Sequence, residues 1–165
     1  GVQPLLGFNV GAQLWSRVMA FYKWACIDCF LVALGFQLLF WIAPQAPLAL
    51  FSVREDLVPF ACDTIRLFSI WLAPVGFQIM AGSYFQSSGQ PMKATILELT
   101  RQFLFLIPLY IAMPYIATDL LGLSGLDGVR LALPISDVMA FFVTTAFFVL
   151  EWRKLKRLDQ KKAAE

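Results

Sequence analysis

The sequence predicts an all-α polytopic membrane protein. Of its 165 residues, 59% are hydrophobic and only 15% are charged, whereas about a quarter of the residues of a soluble domain are charged. The mean hydropathy is +0.71. The hydrophobic residues also come in long blocks, without the polar stripe of a soluble amphipathic helix. A lipid bilayer is therefore the expected environment of this chain.

Four segments are long and apolar enough to cross a membrane. A spanning helix needs about 20 mostly apolar residues to cross about 30 Å of hydrocarbon at 1.5 Å per residue. The predicted spans are 25–43, 60–85, 94–117 and 131–150, and a basic tail at 151–165 follows them. Prolines inside the spans, Pro134 among them, predict kinks, because neighbouring helices can satisfy the carbonyls that proline leaves free.

The basic residues predict how the spans are oriented. Lys and Arg near helix ends resist translocation and stay in the cytoplasm. Four spans return the chain to the side where it started, so the N-terminal stretch and the tail share one side. In the opposite loops, Arg54 and Arg130 stand close to acidic residues. The side predicted to be cytoplasmic carries Arg17, Lys23, Lys93 and the basic residues of the tail.

The composition excludes most catalytic machinery. Histidine is absent, which removes the imidazole base and the commonest metal ligand. No nucleophile elbow, zinc-protease motif or phosphate-binding loop is present, and a net charge of +2 is too small to indicate nucleic-acid binding. Cys26 and Cys29 lie in an apolar run and are interpreted as packing residues rather than a redox pair. The glycine-rich stretch 122–128 is interpreted as turns of an outer loop. The sequence thus predicts neither an enzyme nor a cofactor site.

Ionisable residues inside the spans are the candidates for function. Each costs about 2.5 to 3.5 kcal/mol at mid-helix and therefore tends to face protein or water. Glu98 and Arg101 are three residues apart on one helix, so we expect them to form an ion pair. Asp137 lies about two turns inside the last span without a local cation, so it must find a donor or bind a proton. Asp137, Glu98 and Arg101 are candidates for ion coupling or gating, and purely structural contacts are the alternative.

Four stretches, in order along the chain, resemble the multidrug and toxic compound extrusion (MATE) family. GVQPLLGFNVGA at 1–12 is similar to the end of the family's eighth helix, and three further stretches resemble the signatures around its last three helices. These are MAGSYFQSSGQP at 80–91, LTRQFLFLIPL at 99–109 and LALPISD at 131–137. The resemblance implies twelve helices in two lobes, of which this chain holds the end of helix eight and helices nine to twelve. The first motif implies packing and hinging roles for Gln3, Pro4, Gly7, Asn9, Gly11 and Ala12.

The resemblance also implies a function. The family members are secondary antiporters that export amphipathic, often cationic, drugs in exchange for H⁺ or Na⁺, so we expect transport across a bacterial inner membrane and no other cofactor. The expected partners are drugs, the lipid bilayer and a missing N-terminal lobe of the same polypeptide, and not nucleic acid. Residues 72–79 carry no carboxylate where some branches bind the cation. The chain is therefore most similar to the DinF- and MepA-like bacterial branch, whose coupling acid is expected in the N-terminal lobe.

Two other functions agree with the same helix count. A lipid-linked oligosaccharide flippase of the same superfamily would need a basic-lined cavity, for which Arg66 and Arg101 are few. A stand-alone four-helix accessory or oligomeric membrane protein would need a start codon just before Gly1. Because the chain opens without Met and without a signal peptide, we expect the native protein to be longer than this chain.

Overall fold

A computed structural model describes residues 2–51 and 53–164, so Gly1 of the first motif lies outside the described residues. The described residues are helical and contain no strand. The helices are α1 (Val2–Gly11), α2 (Trp15–Ile42), the short α3 (Gln45–Leu48), α4 (Val58–Ser69), α5 (Leu72–Ser87), α6 (Pro91–Leu99), α7 (Ile107–Leu121) and α8 (Gly125–Ala164). A 3₁₀ turn, Glu55–Leu57, precedes α4, and a π-helix, Thr100–Leu106, joins α6 to α7.

A helix lies over each of the four predicted spans. Three helices are long and apolar enough to cross a membrane, namely Trp15–Ile42, Pro91–Leu120 and Gly125–Ala163, and a bent pair of helices supplies a fourth crossing if it is counted as one span. The first of these begins ten residues before the predicted span at 25. The protein is therefore a bundle of membrane-length helices, in agreement with the predicted fold class.

The second span is broken, where the sequence predicted one kinked helix at 60–85. Its two halves, Glu55–Ser69 and Leu72–Ser87, meet at an angle of 49°. Pro74 has no N–H with which to bond the carbonyl of Ile70 four residues earlier. The side-chain amide of Gln37 in α2 fills this gap, because its Nε2 donates to Ile70 O at 3.1 Å and its Oε1 accepts from Ala73 N at 3.0 Å. A neighbouring helix thus satisfies both backbone groups at the break.

The tail continues α8 as helix. This helix has 40 residues, about 60 Å at 1.5 Å per residue, which is about twice the hydrocarbon thickness of a bilayer. The glycine-rich stretch before it is only partly the turn that the sequence predicted. Gly122 ends α7 in the left-handed conformation with φ of 63°, but Gly125 and Gly128 belong to the first turn of α8. Ser124 caps that turn, since its Oγ accepts from Asp127 N at 3.2 Å.

Two glycines allow helices to approach closely. A Cβ at Gly128 would overlap the backbone carbonyl of Met113 in α7, and one at Gly76 would lie 2.5 Å from Cys29 O in α2. No side chain fits at either position without moving the backbone. Small residues serve the same purpose in membrane helix pairs generally, since close backbone approach maximises van der Waals contact in lipid.

The tightest packing lies at one end of the bundle, which we call the basic end because Arg17, Lys23, Lys93 and the tail meet there. The buried cluster at this end draws on α1, α2, α5, α6 and α8 and includes Leu6, Tyr22, Tyr84, Phe85 and Leu155. The rings of Tyr22 and Tyr84 stack with centroids 4.2 Å apart. Lys162 Nζ donates to Gln13 O at 2.9 Å and so fastens the tail to the α1–α2 turn. The tail therefore packs onto the bundle as part of the fold.

Candidate functional site

A buried ion pair links the third and fourth spans. Arg101 Nε donates to Asp137 Oδ1 at 2.9 Å. Asp137 in α8 is only 5% exposed, whereas the Arg101 side chain is 27% exposed. The pair joins the 99–109 stretch to the 131–137 stretch, so two of the four family-like motifs meet at this point. The donor that Asp137 was expected to need is therefore an arginine from another helix.

The predicted pair of Glu98 with Arg101 is wrong. The Arg101 side chain pairs with Asp137 instead, and Glu98 is exposed on α6. Its Oε1 lies 3.6 Å from where a Cβ on Gly82 would be. The prediction assumed α-helical spacing through this region, but the π-helix begins at Thr100. Its i→i+5 hydrogen bonds change the angular spacing of the side chains, so residues three apart no longer lie above one another.

Two backbone irregularities position the pair. Arg101 lies in the π-helix, a rare local structure that is frequent at functional sites. Asp137 follows the buried Pro134 by three residues, and Pro134 removes one hydrogen bond from the ladder of α8. Both partners thus lie on stretches where the α-helical ladder is already interrupted, and such stretches can rearrange at low cost.

Sequence analysis missed the third member of this site, Gln78 of α5. Its Nε2 donates to the backbone carbonyl of Asp137 at 3.2 Å in a buried environment. Gln78 lies in the stretch 72–79, which was noted only for its lack of a carboxylate. A buried amide in an apolar helix was the available signal, because burying it without a partner is costly. Gln78 ties the bent second span to the helix that carries the ion pair.

The first motif forms α1 and packs against the end of α5. Gln3 Nε2 donates to Gln86 Oε1 at 3.4 Å, and a Cβ on Gly7 would lie 3.3 Å from Ser87 O. Asn9 is buried, and its Nδ2 donates to Leu5 O at 2.7 Å. The motif residues Gln3, Pro4, Gly11 and Ala12 are exposed.

The irregular backbone that was expected within this motif lies just after it. Residues 2–11 form a regular helix with Pro4 in its first turn, where a missing N–H costs nothing. The chain then reverses direction at Gln13, whose φ is 54°. This conformation is uncommon for a residue other than glycine. The hinging role of the motif stays a prediction.

A second polar cluster, also missed by sequence analysis, lies at the basic end. Glu151 in α8 is only 3% exposed. Its Oε1 accepts from Gln90 Nε2 at 2.9 Å, and its Oε2 accepts from Lys93 Nζ at 3.0 Å. Lys154 Nζ at 3.4 Å and Tyr84 OH at 3.5 Å complete the surroundings. The sequence placed Glu151 at the start of an exposed tail, but in the structure it locks the α5–α6 turn onto α8.

The ionisable groups of the described residues are spread out in pairs. Within 2–51 and 53–164, no three His, Cys, Asp or Glu side chains are grouped so that they could hold a metal ion. The exposed pairs Asp63–Arg66 at 3.9 Å and Asp56–Arg54 at 2.8 Å lie near the opposite end, as the sequence predicted. The Arg101–Asp137 pair and the Glu151 cluster are the two places where charge is buried between helices.

Membrane-length helices, a broken span and a buried interhelical ion pair together define a bundle of the kind found in secondary transporters. Comparison with solved structures makes this specific. The MATE multidrug transporter DinF-BH, solved in complex with rhodamine 6G, is 33% identical to this chain with a TM-score of 0.78 and covers 92% of it. An inward-facing MATE family transporter of the MOP superfamily matches 96% of the chain with a TM-score of 0.76 at 18% identity, and thus shares the fold.

The structural neighbours of this chain are therefore MATE multidrug transporters, which confirms the resemblance seen in the four motifs. The chain spans about a third of their length, 32% of DinF-BH and 35% of the inward-facing transporter. No protein-family model matches the sequence. No curated protein sequence matches it either.

Proposed function

We propose that this chain is the C-terminal part of a secondary transporter that exports amphipathic, often cationic, drugs from a bacterial cell in exchange for H⁺ or Na⁺. The observation that carries the proposal is the likeness to DinF-BH over 92% of the chain at 33% identity. The basic end then faces the cytoplasm, in accord with the distribution of Lys and Arg. The role is transport, and no chemical step is assigned to any residue.

The Arg101–Asp137 pair is proposed to be a gating contact in this transporter. Alternating access requires helices to shift relative to one another, and this pair holds the third span to the fourth near mid-membrane. A buried pair is a two-state element, because breaking it leaves a costly charge in the span unless a proton or another cation replaces the arginine. A cation entering the site would weaken the contact and free α8 to move. Glu98 is exposed and makes no ion pair in the part of the chain that is described, so it is the weaker candidate.

Efflux by the full-length protein tests the proposal. Rhodamine 6G, the ligand bound in the DinF-BH structure, is a suitable probe, and its export from drug-sensitive cells is measured at several external pH values. We expect export by the wild type and a marked loss in Asp137→Asn and Arg101→Gln, with little change in Glu98→Gln. A full-length protein that exports no amphipathic cation at any pH or Na⁺ concentration would overturn the proposed function. Wild-type efflux with unchanged pH dependence in Asp137→Asn would instead remove only the gating role.

A further inference from the structure

Two depressions lie end to end in the groove between α2 and α8. The one at the basic end has a volume of about 500 Å³ and is lined by Lys23 of α2 and by Trp152, Lys156 and Asp159 of α8. The other extends into the span, has a volume of about 560 Å³, and is lined by Phe30, Phe77, Phe141 and Phe148. Lys23 borders both depressions. The two therefore form one continuous groove, polar at one end and apolar at the other, which we call the α2–α8 groove.

The polar end of this groove carries a net positive charge. Lys23 and Lys156 approach it from facing helices, and Asp159 is the acidic residue in its lining, so two cations and one anion leave one positive charge. Neither lysine is within 4.0 Å of a carboxylate in the part of the chain that the structure describes. Lys93, Lys154 and Lys162, by contrast, have protein partners. A phosphodiester, which carries one negative charge, matches what is left.

The apolar end has the length of one leaflet. Its lining on α8 runs from Phe141 to Val149, eight residues apart, which is about 12 Å along the helix. One leaflet contributes about 15 Å of hydrocarbon, half of the usual thickness. Trp152 lies where the groove changes from apolar to polar, the depth at which indole rings favour a membrane interface. Chain length, polarity and charge all change at the same level.

We propose that the α2–α8 groove binds one anionic glycerophospholipid from the leaflet at the basic end. Its phosphate contacts the ammonium groups of Lys23 and Lys156, and an acyl chain lies along the phenylalanine side chains. The bound lipid connects the first and last spans at the end of the bundle where packing is tightest. This inference does not depend on what the protein transports.

Lipid retention by the full-length protein tests the inference. The protein is reconstituted in nanodiscs of phosphatidylglycerol and phosphatidylethanolamine in equal amounts, transferred to detergent, and examined by native mass spectrometry. We expect one retained phosphatidylglycerol per protein. In the double variant Lys23→Gln/Lys156→Gln its affinity falls by about 30-fold, because each basic group near an anionic lipid contributes about 1 kcal/mol, a factor of about five. Ile27→Trp, which fills the apolar depression, also abolishes retention.

The matched control is Arg153→Gln/Lys161→Gln. It removes the same charge from α8, but these residues line a different depression together with Arg157. We expect wild-type retention from it. A photoactivatable phosphatidylglycerol on the wild-type protein supplies a test that needs no variant, and it should label residues 19–30 and 141–160. Wild-type protein that retains no lipid or is labelled elsewhere would show that another segment of the polypeptide covers the groove. Equal retention of both lipids, or equal losses in both double variants, would also overturn the proposal.

Discussion

Gln37 and Ala73 are 36 residues apart in sequence, yet the Oε1 of Gln37 accepts the Ala73 N–H at 3.0 Å while its Nε2 serves the carbonyl of Ile70. One side chain in α2 thus satisfies both backbone groups at the break between α4 and α5. Unsatisfied backbone groups are especially costly in a bilayer, since no water is present to bond them.

Loss of this amide should destabilise the bundle. We expect Gln37→Leu to lower the free energy of unfolding by about 2 kcal/mol, because it leaves two backbone groups without partners. Denaturant unfolding of the full-length protein in detergent micelles measures the change. Gln102→Leu is the matched control, since Gln102 is an exposed glutamine in a span and makes no side-chain hydrogen bond in the described part of the chain. It should cost less than about 0.5 kcal/mol.

Pro74 is the reason that the Gln37 amide is needed, so the two positions should be coupled. Pro74→Ala restores the N–H that can bond the Ile70 carbonyl. In this background we expect Gln37→Leu to cost about 1 kcal/mol less than in the wild type. The double-mutant cycle on unfolding free energies gives this difference. Equal costs in both backgrounds would mean that Gln37 stabilises the protein through some other contact.

The Arg101–Asp137 pair should show the asymmetry of a buried ion pair. Asp137→Ala leaves the guanidinium unpaired and should cost about 3 kcal/mol, whereas Arg101→Leu/Asp137→Leu should cost less than the sum of the single changes. Asp63→Ala is the control, because its pair with Arg66 is exposed and 3.9 Å long; it should cost less than about 1 kcal/mol. Strict additivity of the two leucine substitutions would contradict an energetic link between these side chains.

The Glu151 cluster should be as sensitive to substitution as a core residue. Glu151→Ala removes the acceptor that Gln90 and Lys93 share, and a loss of about 2 to 3 kcal/mol is expected. Limited proteolysis should then cut the α5–α6 turn, residues 88–90, faster than in the wild type. Asp119→Asn alters an exposed carboxylate elsewhere in the chain and should leave both measurements unchanged. A Glu151→Ala protein with wild-type stability would show that the cluster does not hold the turn.

Glycine substitutions should have opposite effects at two helical positions. Gly128→Ala places a methyl group against the backbone carbonyl of Met113 and must push α7 away from α8, at a cost of about 2 kcal/mol or more. A methyl group on Gly35 in α2 would meet nothing within 4 Å, so Gly35→Ala should stabilise the helix by about 0.5 to 1 kcal/mol. Thermal unfolding of the two variants compares them directly. A harmless alanine at 128 would contradict the close approach of α7 and α8.

The sequence predicted the fold class, the family resemblance and the importance of Arg101 and Asp137, but it paired Arg101 with the wrong acid. From sequence alone, the visible pairs are those three or four residues apart on one helix, and Glu98 was the acid at that spacing. The π-helix removed that spacing, and the true partner lies 36 residues away. Gln78 and Gln37 escaped notice because an isolated amide in an apolar helix shows neither its burial nor its partner.

Hydropathy along the chain determined by itself that this protein crosses a membrane several times, because apolar length and charge are local properties that the bilayer reads segment by segment. The ordered motifs likewise indicated the family. Only the tertiary structure decided where the second span breaks, which charges pair, that Glu151 is buried and that α2 and α8 form an amphipathic groove. Each of these depends on how side chains from different helices meet, and interhelical distances are set by packing of the whole bundle rather than by any one segment.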